Sequence, residues 1–403
     1  MKKDYFLYLI TALLFCACAQ KPEGNHVVLC IPVYGQSLAL GEEAERITDF
    51  DSLAAYADGR IVTENLDHTF GYFDNNATKH WLKKMVGYKK RAYELSIYNM
   101  AKIIADHTGN DTIICIFPGG QGATALANLN KGTQPYQVFM TSIGKACKEA
   151  HERGWTFTVP AICWMQGESD IVDYPNTNYQ QLLTQIWQDM NTDILQITQQ
   201  TDSIPFICYQ ANSLTRAEHF NSGNYICRET EVPQTFVELL QNNPHFWASG
   251  PTYPYSCVGE KIHIDAKGQQ AIGELAARSV MGILRGSERF RGLIPTGIET
   301  DKDTIIIQFN TLTTLTLDTI QVRKAEHYGF NVINKINKDI VKDIILNDKT
   351  VKIVCSESPT GCKIRYAING DYMKSGNQHG PRGNLRNTDG NWCYQFDILT
   401  HRK

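Results

Sequence analysis

The sequence predicts an α/β domain built on a mostly parallel sheet, followed by a smaller antiparallel β domain. From residue 26 to about 285, short apolar segments typical of buried strands alternate with longer segments typical of helices. Such alternation indicates a parallel sheet with helices on both faces. After residue 286 the helical segments give way to short β-branched runs separated by Asp, Asn, Gly and Lys, which is the pattern of a small antiparallel domain.

The apolar and amphipathic segments define the elements of the α/β domain. The segments predicted as strands are 27–33, 112–117, 158–164 and 204–209. The segments predicted as helices are 92–107, 176–199 and 266–284. The segment 42–90 is rich in charged and aromatic residues, and we interpret it as an insertion that forms one wall of a substrate cleft. Parallel sheets bind ligands beyond the carboxyl ends of their strands, so functional residues are expected there.

The C-terminal part is predicted to be an antiparallel β-sandwich. Its predicted strands are 304–309, 314–317, 341–346, 350–354 and 363–368. The chain is therefore divided into a leader of residues 1–18, an α/β domain of residues 19–285 and a β-sandwich domain of residues 286–403.

The first residues have the features of an export signal. A basic start precedes an apolar run over residues 5–15, and Cys18 follows Ala17. The run is too short to remain in a bilayer as a spanning helix. Cys18 resembles the lipid-modified first residue of a bacterial lipoprotein, so we expect an exported protein, periplasmic or at the cell surface, attached to a membrane by acyl chains. A secretory signal cut nearby is the alternative.

Charge and cysteine usage narrow the classes of function. The formal net charge of −3, without a basic stripe, argues against nucleic acid as a partner. Cys355 and Cys362 flank a turn-like segment, and whether a disulfide joins them stays open. No C-x-x-C pair indicates zinc, and we expect no metal or cofactor. Four of the twelve cysteines lie inside apolar runs and are expected in the core: Cys30, Cys115, Cys163 and Cys208.

A candidate nucleophile follows the first predicted strand. Ser37 ends the sequence Gly-Gln-Ser at residues 35–37, where a buried strand is expected to turn into a helix. A helix N-terminus at that point would supply backbone N–H groups and partial positive charge to an oxyanion. A helix-capping serine is the alternative interpretation of this residue.

Two further strand ends carry groups suited to an oxyanion hole. Gly119, Gly120 and Gln121 follow the strand predicted at 112–117, and glycine allows the backbone to approach a ligand closely. The segment 164–168, Trp-Met-Gln-Gly-Glu, follows the strand predicted at 158–164. Its Gln166 carries an amide donor that is able to stabilise a developing oxyanion.

His263 is the candidate general base. It precedes the last predicted helix of the α/β domain, with Glu260 three residues before it and Asp265 two residues after it. A carboxylate next to a histidine fixes the imidazole tautomer and stabilises the protonated ring, while the other nitrogen accepts the serine proton. Serine, glycines, glutamine and histidine thus occur in the chain order expected for a serine hydrolase.

Together, residues 35–37, 119–120, 164–170 and His263 resemble the motifs of an SGNH-type hydrolase. Within that superfamily, the sequence is most similar to the sialate O-acetylesterase and carbohydrate esterase family six group, over about residues 26–285. The resemblance implies a three-layer, flavodoxin-like α/β fold. It also implies a metal-free serine esterase that removes acetyl groups from sugar hydroxyls.

The resemblance implies a role for each matching residue. Ser37 would be the nucleophile and His263 its base. The backbone amides of Ser37 and Gly120, with the Gln166 side chain, would form the oxyanion hole. Gln166 would replace the asparagine that is typical of the wider superfamily. Gln36 and Gln121 are expected to contact the substrate.

The acid that partners His263 stays open between two glutamates. Many SGNH enzymes carry an aspartate three residues before the histidine, a position that Glu260 occupies here. In some relatives the glutamate of the Gln-Gly-Glu motif is assigned this role, and that residue would be Glu168. We place Glu260 slightly ahead on its local position in the sequence.

The substrate also stays open between sialic acid and a plant or host polysaccharide such as acetylated xylan. Arg382, in a predicted loop of the β domain, is a candidate contact for an anionic sugar. The rival hypotheses are a glycan-binding lipoprotein without catalytic activity, or an esterase of the same fold that acts on another acyl ester. In the first of these, sugar rings would stack on Tyr328, Tyr366 and Trp392.

Overall fold

A computed structural model describes residues 25–64, 82–84, 93–172, 178–211 and 231–400 of the chain. The strands and helices up to residue 284 are β1 (Val27–Cys30), β2 (Val33–Gly35), α1 (Phe50–Ala55), β3 (Ile61–Glu64), β4 (Leu82–Lys84), α2 (Ser96–Asp106), β5 (Thr112–Cys115), β6 (Pro118–Gly120), α3 (Gln134–Glu152), β7 (Thr156–Thr158), β8 (Ile162–Met165), α4 (Glu168–Val172), α5 (Tyr179–Thr198), β9 (Phe206–Gln210), α6 (Glu231–Asn242), β10 (Phe246–Pro251) and α7 (Ala266–Leu284). The C-terminal elements are β11 (Pro295–Asp301), β12 (Thr304–Phe309), β13 (Leu315–Leu317), β14 (Phe330–Ile333), β15 (Val341–Asn347), β16 (Thr350–Cys355), β17 (Lys363–Tyr366), α8 (Gly376–His379), β18 (Leu385–Asn387) and β19 (Phe396–Leu399).

The predicted α/β architecture is confirmed. Its central strand is interrupted at Pro32, which has no N–H to donate and so separates β1 from β2. β1 pairs in parallel with β5 and β7, and β2 pairs in parallel with β6 and β8. Beyond the interruption β9 and β10 extend the sheet in parallel. The carboxyl ends of β2, β6 and β8 therefore meet at one edge.

The predicted helices correspond to α2, α5 and α7, and the structure adds elements that the sequence analysis did not identify. They include α3 and α6, which complete the helical layers, and the strands β3, β4 and β10. The sequence of β10 is Phe-Trp-Ala-Ser-Gly-Pro. It contains no β-branched residue and includes glycine and proline, both of which are depleted in strands.

The C-terminal part is rich in antiparallel strands, as predicted. β11, β12, β16 and β15 form one sheet, and β14, β17 and β19 form a second. The inward-facing side chains of both sheets share one hydrophobic core. Tyr366 is fully buried in that core and Trp392 is 5% exposed, so the suggestion that these two rings stack on sugar was wrong. Tyr328 is half-buried, with the Lys324 ammonium group 5.0 Å from its ring centroid.

The two parts of the chain are joined by hydrogen bonds between buried groups. Gln210, at the end of β9, donates to the Gln395 carbonyl and accepts from the Gln395 N–H. The Tyr394 hydroxyl accepts from the backbone N–H of Gly250, at 2.8 Å. Tyr253 donates to the Cys393 carbonyl, also at 2.8 Å. Because buried polar groups are costly to leave unpaired, these bonds fix how the β-rich part packs on the α/β part.

The cysteines in the described ranges all carry free thiols. The four predicted core cysteines are buried as expected. Cys355 and Cys362 are both buried as well, without a disulfide between them. Cys18 and the rest of the leader lie outside the described residues, as do residues 65–81 and 85–90 of the segment 42–90. Of the helices that the structure describes, none has the length and apolar character required to cross a membrane.

Helices α2 and α7 pack in close backbone contact, and this contact generates a prediction. A Cβ atom on Gly273 would lie 2.0 Å from the Ser96 carbonyl oxygen, whereas one on Gly144, inside α3, would meet no atom within 4 Å. We expect Gly273→Ala to lower the free energy of unfolding by about 1–3 kcal/mol, because the helices must move apart. The matched variant Gly144→Ala should raise it by about 0.5–1 kcal/mol, since alanine favours a helix interior.

Urea unfolding of both variants measures the difference. Equal changes in the two variants would contradict the close approach of α2 and α7.

Candidate active site

Ser37 lies at the carboxyl edge of the sheet, immediately after β2, and its residue is 3% exposed. The sequence analysis expected a helix to begin there, but the chain does not enter one. It forms a series of tight turns, in which the Ser37 carbonyl accepts from the N–H groups of Leu40 and Glu42. The next helix, α1, begins only at Phe50. The partial charge of a helix N-terminus is therefore not available to this serine.

His263 contacts Ser37 directly. Its Nε2 atom lies 2.8 Å from Ser37 Oγ, and its side chain is 15% exposed. The histidine belongs to the loop between β10 and α7. Asp265 closes that loop by capping α7, since its carboxylate accepts from the N–H of Gly268 at 2.8 Å.

Glu43 completes a line of three hydrogen-bonded side chains. Its Oε2 atom lies 2.8 Å from His263 Nδ1, on the opposite side of the ring from Ser37. Glu43 has a left-handed backbone, with φ of 63°, and its side chain is 47% exposed. Serine, imidazole and carboxylate in this order have the arrangement of a nucleophile, its base and the acid that orients the base.

The sequence analysis did not identify Glu43. The residue lies only six positions after Ser37, in a turn, and no spacing rule links it to His263.

Glu42 is a second carboxylate beside the imidazole. Its Oε2 atom lies 3.8 Å from His263 Nε2, which is longer than a hydrogen bond. Burial raises the pKa of the Glu42 carboxyl, His263 lowers it and the Glu43 carboxylate raises it further. Glu42 therefore carries its negative charge less readily than an exposed glutamate.

Glu260, the acid favoured by sequence position, does not contact His263, and that interpretation was wrong. Its carboxylate binds Lys374 Nζ at 2.5 Å and also contacts His379 Nδ1. The hydrogen bond from Lys374, and then that from His379, lower the pKa of the Glu260 carboxyl. Glu260 lies in a turn with φ of 57°, and its side chain faces the β-rich part of the chain.

Glu168, the alternative acid, is not in contact with His263 either. It is fully buried, and both of its carboxylate oxygens lie 2.5 Å from the Tyr209 hydroxyl. Burial and the neighbouring Glu168 raise the pKa of Tyr209 well above its ordinary value, so the phenol stays protonated and donates to the carboxylate. Glu168 thus holds the start of α4 against β9.

Gln166 is committed to other partners and is not positioned as an oxyanion donor. Its Nε2 donates to Asp170 Oδ2 at 2.5 Å and to the Thr124 carbonyl at 3.2 Å. Its Oε1 accepts from the Tyr179 hydroxyl at 2.9 Å. Because the amide has only two hydrogens, both of its donors are used. The residue links the loop after β6 to the loop after β8.

Backbone groups next to Ser37 remain available for an oxyanion. Within the described residues, the Ser37 N–H has no acceptor. Gly120, at the end of β6, has φ of 114°. A Cβ atom there would lie 1.8 Å from the Gly35 carbonyl oxygen, so only glycine fits. A Cβ atom on Gly122 would lie 3.8 Å from Ser37 Cβ. Gly122 therefore borders the nucleophile, and the sequence analysis did not single it out.

Two of the three predicted substrate-binding residues, Gln36 and Arg382, are buried in contacts within the protein. Gln36 is 2% exposed, and its Oε1 accepts from the N–H groups of Gly167 and Ser169, so it supports the site from within. Arg382 is also buried, and its guanidinium donates to the Arg323 and Gly380 carbonyls inside the β-rich part. Both expectations of substrate contact were wrong for the conformation described.

Gln121 is half-buried beside the site. Its backbone N–H donates to the Gly35 carbonyl at 3.1 Å. Its contact with substrate stays a prediction. Among the residues with described positions, no group of three or more His, Cys, Asp or Glu side chains is arranged to hold a metal ion.

Comparison with known proteins gives one family match. Residues 96–282 match the sequence model of the carbohydrate esterases described as sialic acid-specific acetylesterases. This match confirms the resemblance inferred from the motifs. A search of curated proteins by sequence returns no match.

One solved structure supports the fold, and two others align over smaller shares of this chain. A carbohydrate acetylesterase from Xanthomonas citri superimposes with a TM-score of 0.66 at 13% identity, covering 93% of this chain and 80% of that chain. A protein from Arabidopsis thaliana gives a TM-score of 0.44 at 14% identity, over 64% of this chain and 98% of that chain. NanS gives a TM-score of 0.43 at 13% identity, over 65% of this chain and 99% of that chain.

Glu94 holds the turn that carries Glu42 and Glu43, and this role generates a prediction. The Glu94 residue is fully buried, and it accepts from the N–H groups of Ile47 and Thr48, the Thr48 hydroxyl and Gln270 Nε2. A hydrogen bond to a charged group contributes about 1.5–3 kcal/mol. Glu94→Ala should therefore lower the free energy of unfolding by about 3 kcal/mol and reduce ester hydrolysis as well.

Urea unfolding and hydrolysis of a small acetyl ester measure the two effects. The control Glu45→Ala removes an exposed carboxylate from the same turn and should change stability by less than about 0.5 kcal/mol. A Glu94→Ala protein as stable as the control would contradict the role of Glu94 in holding this turn.

Proposed function

We propose that this chain, which belongs through residues 96–282 to the sialic acid-specific acetylesterase family of carbohydrate esterases, removes O-acetyl groups from carbohydrate by serine catalysis. Family membership makes the protein a carboxylic ester hydrolase. The observation that carries the mechanism is the line of hydrogen bonds from Ser37 through His263 to Glu43, which we call the triad.

The reaction proceeds in two acyl-transfer steps. Ser37 Oγ attacks the acetyl carbonyl carbon while His263 Nε2 accepts the serine proton, and the carbonyl electron pair moves onto oxygen. The tetrahedral intermediate collapses, the bond to the sugar oxygen breaks, and that oxygen takes the proton from His263. A water molecule then attacks the acetyl-enzyme in the same way, releasing acetate and restoring Ser37.

Glu43 has the geometry of the acid in this mechanism. Its 2.8 Å contact with His263 Nδ1 selects the tautomer in which Nε2 is free to accept a proton. Its negative charge stabilises the imidazolium that forms during each transfer. Glu42 lies 3.8 Å from the other ring nitrogen and contributes a weaker field.

The oxyanion is held by backbone donors in this proposal. The N–H of Ser37 and that of Gly120 border the position of the developing charge, and the close approach of Gly120 to the Gly35 carbonyl fixes this part of the backbone. Donors that are already oriented in a dry site stabilise the transition state without further reorganisation. Gln166 and Glu168 act behind them, by fixing the loops after β6 and β8.

The substrate class proposed is an acetylated sugar. The family description favours O-acetylated sialic acid, and the fold neighbour from Xanthomonas citri is a carbohydrate acetylesterase. An acetylated polysaccharide such as xylan is the second candidate. The intact triad favours an enzyme over a glycan-binding protein without activity. We also propose export and lipid attachment at Cys18, which the leader sequence supports.

Removal of the nucleophile gives the first test of the triad. Ser37→Ala should reduce acetate release by about 10⁴-fold or more, because it removes the hydroxyl that is hydrogen-bonded to His263. The protein lacking residues 1–18 and its Ser37→Ala variant are assayed on O-acetylated sialic acid and on acetylated xylan. Acetate release from one of the two substrates, if it is lost in Ser37→Ala, identifies that sugar as the substrate.

Ser142→Ala is the matched control, since it removes a buried hydroxyl from α3 and should leave turnover unchanged. Wild-type turnover by Ser37→Ala would exclude serine catalysis at this site. Failure of the wild-type protein to hydrolyse either sugar or a small activated acetyl ester would favour the glycan-binding hypothesis.

The two adjacent glutamates provide a matched pair that tests the acid. Glu43→Gln should lower kcat by roughly 10²- to 10⁴-fold, since the amide retains the shape but loses the charge that stabilises the imidazolium. Glu42→Gln should lower kcat by less than about fivefold, because a carboxylate 3.8 Å from the ring, on a side chain that is 24% exposed, contributes at most about 1 kcal/mol. Steady-state kinetics on one acetyl ester give both values. A larger loss in Glu42→Gln than in Glu43→Gln would transfer the role of the acid to Glu42.

A further inference from the structure

A loop of the β-rich part, residues 371–380, packs directly on the loop that carries His263. The Ser375 N–H donates to the Glu260 carbonyl at 2.8 Å. The Asn377 N–H donates to the Tyr255 carbonyl at 3.2 Å. These bonds join main chains that are more than a hundred residues apart in sequence. We call this contact the clamp and the 371–380 segment the clamp loop.

The clamp leaves almost no space between the two main chains. Gly376 has φ of 82°, and a Cβ atom there would lie 3.0 Å from the Cys257 nitrogen and 3.1 Å from the Tyr255 carbonyl oxygen. Any larger residue at position 376 would therefore push the His263 loop away. The position of one loop is fixed by the position of the other.

Glu260 is the charged centre of the clamp. Its carboxylate binds Lys374 and His379, both from the clamp loop. The Glu260 backbone lies in the left-handed region, with φ of 57°, next to Gly259 with φ of 58°. A glutamate adopts that conformation at a cost, so surrounding contacts must hold it there.

The turn at Glu260 is coupled mechanically to His263. Cys257 and Ile264 form an antiparallel bridge, and the Val258 N–H donates to the His263 carbonyl at 2.8 Å. The segment from Cys257 to Ile264 is thus a small closed loop with Glu260 at its tip. A shift of the tip displaces the histidine main chain within three residues.

We propose that the C-terminal domain positions the catalytic base, with Glu260 as a positioning residue that Lys374 and His379 hold in place. This inference rests on the proposed role of His263. The imidazole must reach both Ser37 and Glu43 at 2.8 Å, and misplacement by about 1 Å is able to reduce turnover by about 10²-fold. The C-terminal domain therefore contributes to the geometry of the active site.

The clamp is separable from the general docking of the two domains. Buried bonds between Gln210 and Gln395, and from Gly250 to Tyr394, join the domains elsewhere. The Glu260 and Lys374 side chains are 34% and 41% exposed. Because a surface ion pair adds little to global stability, its removal should loosen the histidine loop without unfolding the domain.

The test compares Glu260→Gln, Lys374→Met and the double variant in the full chain. Glu260→Gln should lower kcat by roughly tenfold to 10²-fold with KM within about twofold, because the base is misplaced while the substrate pocket is kept. Lys374→Met should have a smaller effect, since His379 still contacts Glu260. The double variant should be no slower than Glu260→Gln, because both changes remove the same interaction.

Two controls separate positioning from folding. Arg365→Met breaks the 3.0 Å ion pair with Asp397 inside the β-rich part, and it should lower Tm while leaving kcat unchanged at temperatures well below Tm. Lys374→Arg retains the charge and should restore kcat to near the wild-type value. Recovery of kcat by a substitution that keeps the charge is not expected from a residue that acts on stability alone.

Two results would overturn the inference. One is a Glu260→Gln enzyme with wild-type kcat. The other is a loss of kcat in Arg365→Met equal to that in Glu260→Gln, which would assign the effect to domain stability. Failure of the proposed function is distinguishable, because it would appear as an inactive wild-type protein or an active Ser37→Ala variant.

Discussion

The site depends on hydrogen bonds that hold the turn after β2 in one conformation. That turn carries both Ser37 and Glu43, so two of the three triad residues share a single support. Glu94, itself buried, fixes the far end of this turn by accepting hydrogen bonds from Ile47 and Thr48. Gln269, from α7, donates to the Leu38 carbonyl and accepts from the Ser96 N–H. The turn, α2 and α7 are therefore tied together, and α7 is the helix that follows His263.

The sequence was sufficient to predict the sheet, the main helices and the positions of Ser37 and His263. Apolar periodicity reports burial, and parallel strands bring their carboxyl ends to one edge whatever the connecting loops do. The prediction failed where the relevant contact depends on loop conformation. Glu43 reaches His263 through a left-handed turn, and Glu260 turns toward the β-rich part of the chain through another. Neither conformation is encoded by residue spacing.

Polar residues in the Trp-Met-Gln-Gly-Glu segment illustrate a second limit. Gln166 and Glu168 look like catalytic groups because they follow a strand at the correct edge of the sheet. In the structure they are buried and fully engaged in holding loops together. A polar side chain at a functional edge is able to act on substrate or to support the groups that do. Only its hydrogen-bond partners distinguish the two cases.

The triad differs in solvent exposure from one end to the other. Ser37 is 3% exposed, whereas the Glu43 side chain is 47% exposed. Charges in contact with water are screened by mobile ions over a Debye length of about 8 Å at physiological ionic strength, whereas buried charges are screened much less. Ions in the surrounding medium therefore reach the acid without entering the cleft. In the proposed mechanism, the stabilisation of the imidazolium therefore depends on the ionic composition of that medium, while the Ser37 hydroxyl remains shielded from it.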